Sequence, residues 1–525
     1  MPDVAIAAPN EAAADAGEAI ARLGGNAVDA AVAAVLVTMV NEVGIVSLSS
    51  GGFVTMQPPD GSAPVTVDGW MDMPGRGARV PGRGRQEGTA GVPGRGRHDD
   101  TATWDVVTDY GGGVTVTIGP GSVAAHGAVA GLEEAHRRWG SVPWTELVAP
   151  AIDVARGGFP LGSASRYYLR YVHDDIFGWD PASRAAVHDP RPGHGSVVTS
   201  GAVVVPDLAA SLELIATEGA SALHTGDLAR LIADDVTARG GLLGRDDLAA
   251  YRPVVRPALQ ARVGPWTLGT NPPPAVGGVC VVAMLRLLDG HPRSVVDGRW
   301  SDDDVEHLVR VQRAVLGHRL DVLDHSDDLE ADAAALLRLV SERPGALLGH
   351  ASGSTAHVST TDSDGAACAV TVSSGYGSGM IAAGTGIWLN NCLGEQELNP
   401  AGLHGLPPGT RLLSNMAPTV GHHEDGAALA IGSPGADRIS TAVAQVLAGF
   451  AAGGLGLQEA VDHARVHVHR AGRADEVVKR EEEPSMYFGG VGATLLRHGA
   501  DGFHVEAAAD PRRDGAIRVV RSAGR

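Results

Sequence analysis

Polar and apolar positions alternate with a period of two in a pair of adjacent runs about two-thirds of the way along the chain. In the first, Thr355, His357, Ser359 and Thr361 fall on one face. In the second, Ala369, Thr371 and Ser373 share a face, and Cys368, Val370 and Val372 share the other. Period two is the repeat of a strand. Asp362-Ser363-Asp364-Gly365 between the runs is a turn signal. The pattern predicts a hairpin, 355–361 with 367–373. Its hydroxyl-rich face reads in two ways: a half-buried hairpin with a polar outer face, or a strand that carries chemistry at Thr355.

Elsewhere the pattern mixes helix and strand. Val4 to Pro9 reads as a strand, Asn10 is placed to cap a helix from Glu11 to Leu23, and Asn26 opens a second to about Met39. Gly51 to Val54 and Pro64 to Asp68 read as strands. Helices are predicted at 127–139, 144–155, 207–218, 227–239 and 246–251, then one strand from Leu259 to Leu268. A helix to Leu288 follows Pro272-Pro273-Pro274. A long one from Asp302 to about Leu323 begins with three aspartates at its positive end, and another runs from Ala331 to Glu342. Beyond the hairpin come a Gly-rich loop (375–386), an apolar strand (427–431), helices at 437–450 and 457–466, and two or three strands ending near Val520. The outcome is a mixed α+β chain with helices outside sheets.

Composition narrows the function classes. The chain has 525 residues, enough for about two to four domains or one large layered one. The net charge of −20 argues against nucleic acid and anionic membrane as partners. Cys280, Cys368 and Cys392 are widely spaced, with no Cys/His metal pattern, and read as buried free thiols. The N-terminus has no basic and apolar leader, and the longest apolar run is too short to span a bilayer. We therefore expect a cytoplasmic protein without a membrane segment. Between Arg76 and His98, Pro-Gly-Arg-Gly-Arg occurs at 81–85 and again at 93–97. This insert reads as a solvated loop, with Arg79, Arg83 and Arg85 as possible anion ligands.

A threonine hydroxyl is a poor nucleophile without a base beside it. If the Ser354–Thr355 peptide is cut, Thr355 gains a free α-amine, with an ordinary pKa of roughly 7.7–8. That amine can take the hydroxyl proton, so one cleavage makes nucleophile and base together. Gly432-Ser433-Pro434-Gly435-Ala436-Asp437 lies between a predicted strand and helix. It is either a plain turn or a source of N–H donors for an oxyanion. His357 is either a neutral base or a structural residue. His463, His467 and His469 fall on a late helix and its exit without metal spacing, so no metal and no cofactor is expected.

Assembled in order, these pieces resemble the γ-glutamyltranspeptidase family of N-terminal nucleophile hydrolases. The resemblance rests on Gly24-Gly25-Asn26-Ala27-Val28-Asp29, Gly51-Gly52-Phe53, Asn271-Pro272-Pro273-Pro274, Thr355-Ala356-His357-Val358-Ser359, Leu389-Asn390-Asn391, Ser414-Asn415-Met416, Gly432-Ser433-Pro434-Gly435 and Asp510-Pro511-Arg512. It implies a four-layer αββα sandwich and self-cleavage between Ser354 and Thr355. The products would be a large subunit, 1–354, and a small subunit, 355–525, of one precursor. It implies that Thr355 takes an acyl group from a small amide or peptide and passes it to water or an amine. Ser373 matches a hydroxyl residue that steadies the nucleophile's amine. Gly435 and Ala436 match the oxyanion-hole glycine pair.

The departures concern the substrate pocket. Typical members clamp the glutamyl α-carboxylate with an arginine; here Trp70 takes its place. Of the assisting serine pair, Ser414 remains and Asn415 is the second. Cys392 and Glu395 occupy places of groups that hold the α-amine, and Asn391 stays beside them. Loss of a buried ionic clamp costs about 3–5 kcal/mol, which predicts weak or no activity on glutathione. Two other readings stand beside the amide one: a relative hydrolysing a C–C bond in secondary metabolism, and a non-catalytic binding protein with a relic site.

Overall fold

The hairpin that begins after Thr355 lies at the centre of a sheet. The computed structural model describes residues 1–77, 101–108, 110, 114–188, 202–289, 295–296, 299–342, 355–469, 471–499 and 502–522. Ser354, the link before it, and Arg79, Arg83 and Arg85 lie outside the described residues. Ala356–Asp362 pairs antiparallel with Val4–Ala8 on one side and Ala367–Ser373 on the other. The full sheet runs Ala516–Val520, Val4–Ala8, Ala356–Asp362, Ala367–Ser373, Gly51–Gln57, Val65–Gly69, Val254–Pro257. A second sheet has six strands, in the order Gly502–Ala508, Gly492–Gly499, Ala428–Gly432, Thr419–His423, Trp266–Thr270, Leu259–Val263.

The two sheets stack face to face, and this explains the hydroxyl-rich face of the hairpin. Every residue of both its strands is buried, so the outer-face reading of that pattern does not hold. Buried hydroxyls need partners, and they find them across the sheet interface. The Ser359 hydroxyl donates to the Gly492 carbonyl at 3.1 Å, and Thr361 Oγ1 meets Thr494 Oγ1 at 2.7 Å. Around them Ala5, Ala367, Ala369, Ala428 and Ala430 form a cluster of small side chains with Val420 and Leu496.

Helices close both outer faces. Glu11–Arg22, Ala27–Asn41 and Ala128–Trp139 pack on the first sheet, and Val276–Leu288 and Arg438–Leu447 on the second. The result is the four-layer αββα sandwich. Ala27–Asn41 has all 15 residues buried, because Trp144–Gly157 packs on its far side. Its start is a capping box, with Asn26 and Asp29 each satisfying the other's backbone N–H.

Some elements differ from the sequence expectation. The strand expected from Leu259 to Leu268 is two, because Gly264-Pro265 turns the chain between Val263 and Trp266. The helix expected to reach Val466 ends at Asp462, and Val466–His469 pairs as a strand with Val477–Arg480. The alternation of Val466 and Val468 is the period-two signal for it. The hairpin Trp104–Thr108 with Val114–Ile118 and the helix Ser163–Val172 were not foreseen. No helix among the described residues is long and apolar enough to cross a membrane.

Candidate active site

Thr355 immediately precedes its strand, and the register Ala356↔Val372 sets it opposite Ser373 at the open end of the hairpin. It is 3% exposed. Together with Trp70, Ser373, Glu395, Ser414, Asn415 and Ala436 it lines one small cavity. Six positions singled out in the sequence, from both halves of the chain, therefore meet at Thr355. The Ser373 hydroxyl accepts the Gly375 N–H at 3.0 Å, which fixes its rotamer at the mouth of the hairpin. Ser414 is held likewise, its hydroxyl accepting the Met416 N–H at 3.2 Å.

Trp70 is 2% exposed and immobilised on several sides. Its ring stacks on Phe53, with centroids 6.1 Å apart and planes inclined by 22°. Its backbone N–H donates to Asp68 and its carbonyl accepts the Tyr251 hydroxyl. Gly51 permits the indole to lie where it does, since a Cβ there would sit 2.6 Å from the ring.

Asn391 does not line the cavity but backs it. Its side-chain oxygen accepts the Tyr376 N–H, and its amide donates to the Thr117 carbonyl. Gly375, at φ +65°, is required here because a Cβ would lie 2.4 Å from the Asn391 oxygen and 3.1 Å from that of Glu395. Glu395 is 2% exposed, and its Oε1 has no hydrogen-bond partner. Burial and then repulsion from Glu397 push its carboxyl well above the usual range, despite a hydrogen bond with Cys392. Burial thus disfavours the charged form of Glu395, and a neighbouring cation would favour it.

Gly435 and Ala436 form the turn into Arg438–Leu447. Both have positive φ, +117° and +69°. A left-handed alanine is strained by about 1–2 kcal/mol, and here the strained residue lines the same cavity as Thr355. Asp437 behind it is fully buried. Burial alone would raise its pKa, but Arg438 and His467 outweigh it and hold the carboxyl well below the usual range. The ion pairs are 2.7 Å to Arg438 Nη1 and 2.9 Å to His467 Nε2. His469 stands 3.6 Å away. Asp437, His467 and His469 bring three metal-ligand atoms within 4.8 Å of one another, as do His173, Asp174 and His188. The sequence hid both groups, because the first joins positions 30 residues apart through an unforeseen strand. With Arg438 already on the Asp437 carboxylate, the first group braces the turn that carries Ala436.

His357 is no base for Thr355. Its Nδ1 meets Thr371 Oγ1 at 2.8 Å and its Nε2 meets Ser359 Oγ at 2.7 Å. Burial drives its pKa down to about 3. It is a neutral tie between the two strands and the second sheet, where Gly432 leaves room for its ring. Sequence reasoning missed Arg513, whose guanidinium approaches the Thr355 carbonyl at 3.5 Å.

Comparison with known proteins agrees with this architecture. A family model described as Gamma-glutamyltranspeptidase matches residues 13–520. The chain is 30% identical over 475 residues to the acylase ACY 1 proenzyme of Pseudomonas sp. (strain SE83), covering 86% of this chain and 80% of that one. It is 28% identical over 499 residues to the glutathione hydrolase proenzyme of Escherichia coli (strain K12), covering 88% and 80%. The crystal structure of a cephalosporin acylase from Bacillus halodurans has the same fold, with a TM-score of 0.74 at 20% identity over 98% of this chain and 96% of that one.

Proposed function

The chain belongs to the gamma-glutamyltranspeptidase family, and on that premise we propose that it is a self-cleaving hydrolase or acyltransferase with Thr355 as nucleophile. In maturation the Thr355 hydroxyl attacks the Ser354 carbonyl carbon, the C–N bond breaks, and an ester joins the two segments. Water hydrolyses the ester, leaving the Ser354 carboxylate and a free Thr355 amine. That amine then takes the hydroxyl proton as Thr355 attacks a substrate carbonyl, and gives it to the leaving amine. Water or another amine releases the acyl group.

The observation that carries this reading is the single cavity in which Thr355, Ser373 and Ala436 meet. Its three roles are nucleophile, hydroxyl support and oxyanion donor, the last through the Ala436 N–H. Glu395 supports a further assignment, a seat for a substrate ammonium, because its unpartnered oxygen belongs to a residue of the same cavity wall. Trp70 supports a substrate other than a γ-glutamyl amide, since an indole makes no two-pronged ionic clamp.

Intact-mass spectrometry tests the reading. We expect wild type to separate into residues 1–354 and 355–525, and Thr355→Ala to remain one chain. Incubation with amide substrates is expected to add an acyl mass to the 355–525 chain. A wild-type chain that stays whole on prolonged incubation would falsify the proposal.

A further inference from the structure

His173 ends the helix Ser163–Val172, Asp174 follows it, and His188 ends the helix Pro181–Val187. The turn between the helices brings one ligand atom from each of the three together. His188 Nε2 lies 3.0 Å from His173 Nδ1 and 2.9 Å from Asp174 Oδ1. The third edge, His173 Nδ1 to Asp174 Oδ1, is 3.6 Å. A tetrahedral zinc ion with bonds of about 2.0–2.1 Å sets its ligand atoms about 3.3–3.4 Å apart. The three edges bracket that spacing, so one ion would reach all three atoms with little movement.

The hydrogen bonds around the group favour a cation. His188 Nδ1 faces the Arg184 carbonyl at 3.2 Å. A carbonyl only accepts, so Nδ1 carries the ring proton, and in the neutral ring Nε2 is a bare lone pair. That lone pair faces a carboxylate oxygen, which in its charged form also only accepts. A second ring proton, on Nε2, would have Asp174 and His173 competing for it, whereas one metal ion serves all three atoms at once. An imidazole whose other N–H is held by a backbone carbonyl is the usual support of a metal bond. Arg184 Nη1 stands 3.6 Å from the same Asp174 oxygen, but the two side chains are 54% and 60% exposed, so water screens that pair. Asp175 adds a second negative charge nearby.

We propose that His173, Asp174 and His188 bind a zinc ion, with water completing its coordination. Two imidazoles and one carboxylate suit zinc, whereas calcium and magnesium take oxygen ligands. The ion would fasten a segment that packs on the loop behind the Thr355 cavity. Trp179 Nε1 donates to the Ser378 carbonyl at 3.2 Å, and the Tyr168 hydroxyl donates to the Tyr376 carbonyl at 2.7 Å. Tyr376 is the residue whose N–H is held by Asn391. Zinc is thus a brace for the back wall of the site, and it stands whether or not Thr355 is the nucleophile.

The test titrates the whole untagged protein, stripped with a chelator, with zinc chloride by calorimetry. Wild type is expected to take one zinc per chain with a Kd of about 1 μM or tighter, and its melting temperature should rise with free zinc. Asp174→Ala removes an exposed ligand without touching the core, and should weaken binding by about tenfold or more. His188→Ala should abolish it. Cobalt(II) in place of zinc should give the visible absorption of a four-coordinate site, lost in the same variants. No uptake by wild type would overturn the proposal, and so would zinc held equally by wild type and Asp174→Ala. Should His188→Ala fail to fold, Asp174→Ala decides alone.

Discussion

The indole Nε1 of Trp70 donates to the carbonyl of Leu413 at 2.9 Å, joining positions 343 residues apart in the chain. The bond anchors the ring to the residue before Ser414, so the two walls of the Thr355 cavity are set by one contact. Trp70→Phe keeps most of the stack on Phe53 but leaves the Leu413 carbonyl unpaired. We expect a loss of about 1–3 kcal/mol, read by urea denaturation in the uncut Thr355→Ala background. Trp70→Ala should cost more, about 3–5 kcal/mol, because it also opens a cavity.

Ala436 keeps a left-handed backbone at φ +69°. Glycine adopts that conformation freely but loses more entropy on folding. The balance favours Ala436→Gly by roughly up to 1 kcal/mol. The backbone N–H proposed as oxyanion donor is retained, so acylation of Thr355 should persist. A β-branched residue there should do the opposite. Ala436→Val is expected to lower both the melting temperature and the rate of self-cleavage, followed by mass spectrometry over time.

His357 has its pKa pushed down to about 3 by burial, whereas the unfolded chain protonates it near 6.5. Between those values the unfolded state binds a proton that the native state does not, so stability falls as pH drops through that window. The contribution is fully present above about pH 6.5, and its slope reaches about 1.4 kcal/mol per pH unit. His126, at about 3, and His224, at about 4, add to the same trend, each lowered first by burial. A melting temperature that stays flat from pH 7 to pH 4 would contradict this. The pH–rate profile should show no inflection from His357, only a rise near the Thr355 amine, at roughly pH 7.7–8.

Glu395 reverses the sign. Its carboxyl is raised by burial, so its stabilising contribution is present below the unfolded value and fades as pH rises towards the folded one. Glu395→Gln imitates the protonated form and escapes that loss. The variant should match wild type in melting temperature near pH 4.5 and exceed it at pH 8. Any preference for substrates with a free amine should vanish with it, which a matched pair of amino and N-acetyl amides would read.

The parts of the site legible in the sequence were those that depend on local pattern. Period-two alternation located the hairpin, and its register alone brings Ser373 opposite Thr355. The turn residues marked 432–437, and the family resemblance picked out Gly435 and Ala436 within them, as it did Trp70, Ser373, Glu395, Ser414 and Asn415. What stayed hidden depends on contacts between distant segments. The inward hydroxyl face of the hairpin was ambiguous because the second sheet that covers it begins with Leu259 and ends with Ala508. The Asp437–His467 pair needed a strand at Val466–His469 that a helical reading had erased. Arg513 looked like any charged residue near the C-terminus. Only the fold sets it against the Thr355 carbonyl.

The order of strands in the two sheets carries one more consequence. The first sheet takes Val4–Ala8, Gly51–Gln57, Val65–Gly69 and Val254–Pro257 from before Thr355 and the rest from after it, and the second sheet takes its Leu259–Val263 and Trp266–Thr270 hairpin from before it. Neither product of a cut before Thr355 would own either of the two large sheets whole, and Ala356–Asp362 is flanked by a strand from each. Cleavage there would therefore change molecularity: a chain that unfolds as one molecule would become a pair that unfolds into two. By mass action the melting temperature of the cut protein should rise with its concentration, while that of Thr355→Ala should not. Dilution would then weaken the mature form alone.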